Sequence, residues 1–180
     1  MEHPAPQQLF VGTWKLAAMR AKVAGRGVEE PYGPEPLGYI TYTDDGYMHA
    51  ILMDPNRPEV GTPIEEFGKR TGVRRLAFFL GGIPAVARYT AATMKSAAYT
   101  ATWDVHGPEV VHHVTASVMP DWIGTDMVRT YQFHADQLTL TAHYPDDQYV
   151  ALVWQKAAGR GPQEQISHPA RTTSGSPSSP

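Results

Sequence analysis

The sequence predicts a mainly β protein, an antiparallel sandwich or barrel, on three observations. Five runs rich in β-branched and aromatic residues, at 99–105, 110–119, 127–134, 138–144 and 149–154, follow one another at roughly ten-residue spacing with turn residues between them. Upstream, the runs 37–42 and 47–53 flank Thr43-Asp44-Asp45-Gly46, and an Asp-Gly pair so placed is among the stronger short-range hairpin signals. The 180 residues are 42% apolar and 18% charged, which suits one domain around a single filled core.

Each element follows in order. Residues 1–8 carry two prolines and two glutamines and no packing pattern. From Phe10 to Asp54 the chain reads as short β-like runs broken by Gly and Pro. Between 62 and 98 the character changes. Thr62-Pro63-Ile64-Glu65 sets a capping threonine before a proline at the first helical position and a glutamate at the third. Residues 85–98 are alanine-rich without Gly or Pro and read as helix, after a break at Gly81-Gly82-Ile83-Pro84. A helical insert at 62–98 therefore separates the fourth and fifth strands. Residues 157–180 are dominated by Gly, Pro, Ser and Thr, cannot bury enough apolar surface to offset their ordering entropy, and are expected to be disordered. That leaves 9–156 as the domain.

Composition excludes several functions. Fifteen Lys+Arg against eighteen Asp+Glu give a formal charge of -3, without the basic excess of a nucleic-acid binder. The absence of cysteine removes disulfides, thiolate metal sites and a cysteine nucleophile. Met1-Glu2-His3-Pro4 has neither the basic nor the apolar part of a secretion signal. The longest uncharged apolar stretch, 76–87, is well short of the roughly 20 residues of a membrane span. A cytoplasmic protein that touches neither membrane nor nucleic acid is expected. No phosphate-cradling loop, His-Glu-x-x-His or Gly-x-Ser-x-Gly is present, and the histidines show no ligand spacing, so neither cofactor nor metal is expected.

Gly12-Thr13-Trp14-Lys15-Leu16 opens the first strand with a Gly-x-Trp signature, weak alone. It is followed in order by the hairpin at 38–48, His112-His113-Val114, Met119-Pro120-Asp121-Trp122-Ile123-Gly124-Thr125, Arg129, Leu138-Thr139-Leu140 and Leu152-Val153-Trp154. Over residues 10 to 156 the set resembles the lipocalin-like domain family. The resemblance implies a closed antiparallel barrel of about eight strands around a cavity for an apolar ligand, with no single activity attached. The helical segment between the fourth and fifth strands is longer than that family's pattern.

In a barrel one face of each strand points inward, with a period of two. Choosing the more apolar face puts His112 inside with Val110, Val114, Ala116 and Val118, and His113 outside. It also puts Met127, Arg129, Tyr131 and Phe133 inside, with Tyr99, Ala101, Trp103 and Val105, and with Trp14, Leu16, Ala18 and Arg20. On the second hairpin Ile40, Tyr42, Met48, Ala50 and Leu52 face in, and Tyr39 and His49 face out. If Val105 pairs with Val110, Trp103 lies opposite His112 and Tyr99 opposite Ala116. Matching faces across 120–126 puts Phe133 opposite His112 and Tyr131 opposite Val114 or diagonal to His112, with Arg129 roughly 13 Å farther along the strand.

These residues suggest proton-moving chemistry on a small hydrophobic substrate. Burial beside Trp103 and Phe133 favours neutral His112, a general base, with Tyr131 as proton donor and Arg129 as oxyanion anchor. Trp14, Trp122, Tyr42, Tyr99, Trp103 and Phe133 would line the ligand, with Phe79 and Tyr89 supplied by the insert acting as a lid. The expected function is a cofactor-free isomerase or cyclase, the alternative a non-catalytic carrier. Three structural readings stand beside it: His112 as a hydrogen-bonded core histidine, Arg129 stacked on Trp14 to close one barrel end, and the alanine-rich helix as a homodimer element.

Overall fold

Burial alternates with a period of two along most strands, and only a sheet closed on itself can hide one face of every strand while leaving no edge. The computed structural model describes residues 5–59 and 83–158. A short helix α1 (Pro6–Phe10) leads into β1 (Gly12–Lys22), β2 (Val28–Glu29), β3 (Leu37–Tyr42) and β4 (Tyr47–Met53). Helix α2 (Ile83–Met94) precedes β5 (Ser96–His106), β6 (Glu109–Ser117), β7 (Asp126–His134), β8 (Gln137–Tyr144) and β9 (Gln148–Lys156). All pairings are antiparallel, sequential from β3 to β9, and β1 joins β3 on one side and β9 on the other. The result is a closed eight-stranded barrel, with β2 a two-residue appendage on the end of β1.

The five C-terminal runs and the Asp-Gly hairpin take the predicted form. Tyr42 pairs with Met48 across the 43–46 turn, where Gly46 adopts φ 87°. Ile40, Tyr42, Met48, Ala50 and Leu52 are buried, and Tyr39 and His49 face out.

Two bulges and one helix boundary correct the expected placements. In β1, Leu16 pairs with Trp154 but Ala18 with Val153, so Ala17 is an extra residue. A bulge of one residue inverts the alternation beyond it. Arg20 therefore points out, and Met19 and Ala21 take the inner positions expected of Ala18 and Arg20. In β6 the extra residue is Thr115: Ala101 pairs with Val114, Thr100 with Ala116, and Tyr99 with Ser117 rather than Ala116. Ala116 and Val118 consequently face outward. The alanine-rich helix ends at Met94, and Ala97 and Ala98 belong to β5. The 62–65 cap, Gly81-Gly82 and residues 159–180 lie outside the described residues.

The two barrel ends are built differently. At one end α1 inserts Phe10, fully buried, among Tyr42, Trp103, Tyr131 and Phe133 at ring-centroid distances of 5.2, 5.5, 4.9 and 5.0 Å. These are edge and tilted contacts of the kind aromatic quadrupoles favour. The Gly-x-Trp signature belongs to this plug. Trp14 Nε1 donates to the Phe10 carbonyl at 2.8 Å, and Lys156 Nζ sits 4.1 Å over the Trp14 ring while donating to the Val11 carbonyl at 2.7 Å. A Cβ on Gly12 would lie 3.0 Å from that ammonium, and its φ of 123° also disfavours a side chain. Arg129 is therefore not the cation on Trp14; Lys156 is.

At the opposite end the insert leaves between β4 and β5 and its base is clamped. Asp54, buried, accepts from Lys95 Nζ at 2.8 Å, and its backbone N–H donates to the Lys95 carbonyl at 3.0 Å. The ammonium and the Asn56 N–H hold the Asp54 carboxyl below its usual pKa. None of the described helices is long and apolar enough to cross a membrane.

Candidate ligand-binding cavity

Because Phe10 and its aromatic neighbours fill one half of the barrel, the free volume lies in the other. Small side chains at Ala50 and Ala97 and aliphatic ones at Ile40, Leu52, Leu140 and Leu152 leave a cavity of about 240 Å³ there. Tyr99, His112, Trp122, Arg129 and Trp154 share its wall. Drug-sized ligands usually occupy roughly 300–1,000 Å³, so the space suits something smaller.

His112 is 1% exposed, and both of its nitrogens are engaged. Nε2 lies 2.8 Å from the Tyr42 hydroxyl and Nδ1 3.0 Å from the Tyr99 hydroxyl. Burial, reinforced by the Arg129 charge, pushes its pKa down to about 3, so the ring is neutral at any physiological pH. A neutral imidazole has one N–H, so one phenol accepts from the ring and the other donates to it; the accepting phenol keeps its own hydrogen free. Burial raises both phenols, Tyr99 to about 12.

The ladder between β6 and β7 corrects the expected neighbourhood of His112. Its partner is Met127, and Arg129 pairs with Val110, diagonal to His112. Phe133, six positions from Met127, lies beyond this ladder and pairs with Leu138 on β8. The cause is the connection: Val114 N–H donates to the Thr125 carbonyl and Gly124 N–H to the Val114 carbonyl, so the turn closes sooner than equal strand lengths suggest. A slip by an even number keeps the inward set and changes only the neighbours. The β5 pairings of Trp103 with His112 and Val105 with Val110 are as expected.

Of the predicted site residues, His112, Tyr99, Trp122 and Arg129 meet at the cavity. Trp122, on the 3-10 turn Pro120–Trp122, packs its ring against Tyr99 at 5.9 Å. Tyr42 stands between cavity and plug through its bond to His112 and its contact with Phe10. Trp14, Trp103, Phe133 and Tyr131 belong to the plug. The Tyr131 hydroxyl donates to the Gly107 carbonyl in the β5–β6 turn at 3.0 Å and is not a partner of His112. Tyr89 is exposed and lines an outer groove between α2 and the outward side chains Ile51 and Val118, because α2 packs outside the barrel. Phe79 lies outside the described residues.

Sequence reasoning missed Phe10, Met19 and Trp154. Trp154 is fully buried, lines the cavity, and its indole N–H has no hydrogen-bond partner. The run Val150, Leu152, Trp154 shares one strand parity and could have signalled it. Outside the barrel, His113 bridges Asp126 at 2.6 Å and Asp104 at 2.8 Å, and these carboxylates raise its pKa. Among the described residues no His/Asp/Glu group can hold a metal ion.

No curated protein matches this chain. Solved structures similar to it include the fluorescent protein UnaG and an asparagine-to-alanine mutant of it. The mutant is 15% identical, with 84% of this chain and 99% of that one covered and a TM-score of 0.36. The wild type is also 15% identical, with 83% and 98% covered and a TM-score of 0.35. The match that assigns a family spans nearly the whole barrel: over residues 11–157 the chain belongs to the lipocalin-like domain family.

Proposed function

We propose that this protein binds a small, largely apolar organic molecule inside the open half of its barrel. The observation that carries the reading is the asymmetry of the interior. One half is packed solid around Phe10, whereas the other keeps about 240 Å³ behind small and aliphatic side chains. That void equals about eight waters at ~30 Å³ each, and the aliphatic side of its wall gives water few partners.

A second reading, turnover by a cofactor-free isomerase or cyclase, draws on confinement of the ligand beside Arg129 and the Tyr99 hydroxyl, which can polarise a carbonyl oxygen. His112 serves either reading as a scaffold. A base with a pKa of about 3 has little drive to take a proton near pH 7, and the two phenols occupy both of its nitrogens.

Titration of amide NMR spectra with neutral 2-naphthamide tests the binding reading. The expected result is shifts at Tyr99, Trp122 and Trp154 that are lost in Ala50→Leu, which fills the cavity. That substitution should also stabilise the fold, by at most about 2 kcal/mol for three buried carbons at ~0.8 each. No shifts up to about 1 mM, an affinity of only ~4 kcal/mol, or shifts confined to the outer grooves, would overturn the reading.

A further inference from the structure

We infer that the ligand carries a carboxylate and that Arg129 is its anchor. The inference rests on the binding reading above and names the headgroup that the cavity selects.

The cavity wall presents hydrogen-bond donors with no carboxylate to meet them. Arg129 lines the cavity, yet among the described residues it forms no ion pair, and its one hydrogen bond runs from NH1 to the Val128 carbonyl at 2.8 Å. The rest of its planar fork of donors has no protein acceptor, and that fork matches a carboxylate in geometry and charge. Trp154 brings a second donor, the unpaired buried indole N–H. The Tyr42–His112–Tyr99 chain uses both ring nitrogens and still leaves one phenolic hydrogen unspent. Against these donors the lining contains no Asp or Glu. The buried indole N–H is costly to leave without an acceptor, and the part-exposed Arg129 has room for an anionic partner that the lining does not supply. A purely hydrocarbon ligand would leave the Arg129 fork without an acceptor.

Register fixes where the headgroup sits. Trp154 pairs with Leu138 and Leu138 with Phe133, which puts Trp154 level with Phe133 and four residues along β7 from Arg129. At roughly 3.3 Å per residue the two levels are about 13 Å apart. Arg129 is the nearer to Asp126, where β7 begins at the end away from the Phe10 plug. The carboxylate therefore lies toward the end away from the plug, and the apolar body runs past Leu140 and Leu152 toward Trp154.

Calorimetry with 2-naphthoate and its neutral isostere 2-naphthamide, on the wild type, Arg129→Gln and Arg129→Lys, tests this. The naphthoate should bind the wild type at least about tenfold more tightly than the amide, which is ~1.4 kcal/mol. Arg129→Gln should erase that preference by weakening naphthoate more than the amide, and Arg129→Lys, which keeps charge but not the fork, should retain part of it. Equal affinity of the wild type for the two probes, or a preference that survives in Arg129→Gln, overturns the headgroup assignment and leaves cavity binding standing. Failure of both probes to bind overturns the cavity reading and this inference together. The wild-type comparison needs no variant, so a misfolded substitution cannot shelter the claim.

Discussion

Acid should destabilise this barrel through His112 more than through any surface histidine. In the unfolded chain the imidazole takes a proton as the pH falls through 6.5, whereas in the fold burial and the Arg129 charge delay protonation to about 3. Between those values the unfolded state binds the extra proton, so stability falls as the pH is lowered. One unit of separation is worth about 1.4 kcal/mol, and since the unfolded imidazole is already half protonated at pH 6.5, acidification from pH 6.5 to 4.5 should remove about 2.3 kcal/mol through this residue alone. Little solvent discount applies, because the side chain is 1% exposed. His112→Gln isolates the effect. Its amide can donate to one of Tyr42 and Tyr99 and accept from the other, yet it does not titrate. Whatever the substitution costs at pH 7, other groups cancel in the comparison of slopes. Urea unfolding of both proteins at half-unit steps from pH 7 to 4.5 should give lines that converge toward acid as the wild type loses stability faster. Parallel lines would show that His112 protonates normally in the fold and would refute its assignment as a buried neutral scaffold.

Two further expectations concern opposite sides of the sheet and opposite ends of the barrel. His113 has its pKa raised by Asp126 and Asp104, so its contribution is present below about pH 6.5 and is lost as the pH rises through its raised folded value; being part-exposed, it should be worth under about 1 kcal/mol. His113→Gln should flatten the pH 6–8 dependence of the urea midpoint, and an unchanged dependence would remove the Asp–His–Asp bridge from the account. Phe10→Ala should cost about 3–5 kcal/mol, because a fully buried ring leaves a hole between four aromatic partners that β-strands cannot close by collapsing. Denaturant titration checks it, and a loss under about 1 kcal/mol would mean that α1 frays and Phe10 is not the plug.

The strands were legible because their signal is local and their turns are short. The hairpin at 43–46 and the pairing of Val105 with Val110 follow from alternation and turn length alone. Parity is a fragile inference over long strands, however. One extra residue at Ala17 reversed Arg20 and Met19, and another at Thr115 reversed Ala116 and Val118, with no Gly or Pro marking either bulge. His112 and Arg129 were identified as inward from sequence, but their adjacency was not, since it depends on where the β6–β7 turn closes. Phe10 was hidden for another reason. A five-residue helix has too few positions to display periodicity, and its value lies entirely in what its last residue fills.

The plug and the cavity are consequences of one another. An eight-stranded barrel is just wide enough for its interior to be filled by side chains or to hold one small ligand. Here aromatic residues are concentrated at one end, where Phe10, Trp14, Trp103, Tyr131 and Phe133 interlock. That concentration closes the lower interior and fixes Tyr42, whose hydroxyl in turn holds His112 and, through it, Tyr99. The Tyr42–His112–Tyr99 part of the cavity wall is thus held from the plug side by the aromatic stack, which keeps these hydroxyls in place before any ligand arrives. Preorganised donors lose little on binding, and this is how a site of modest volume can discriminate by headgroup instead of by area.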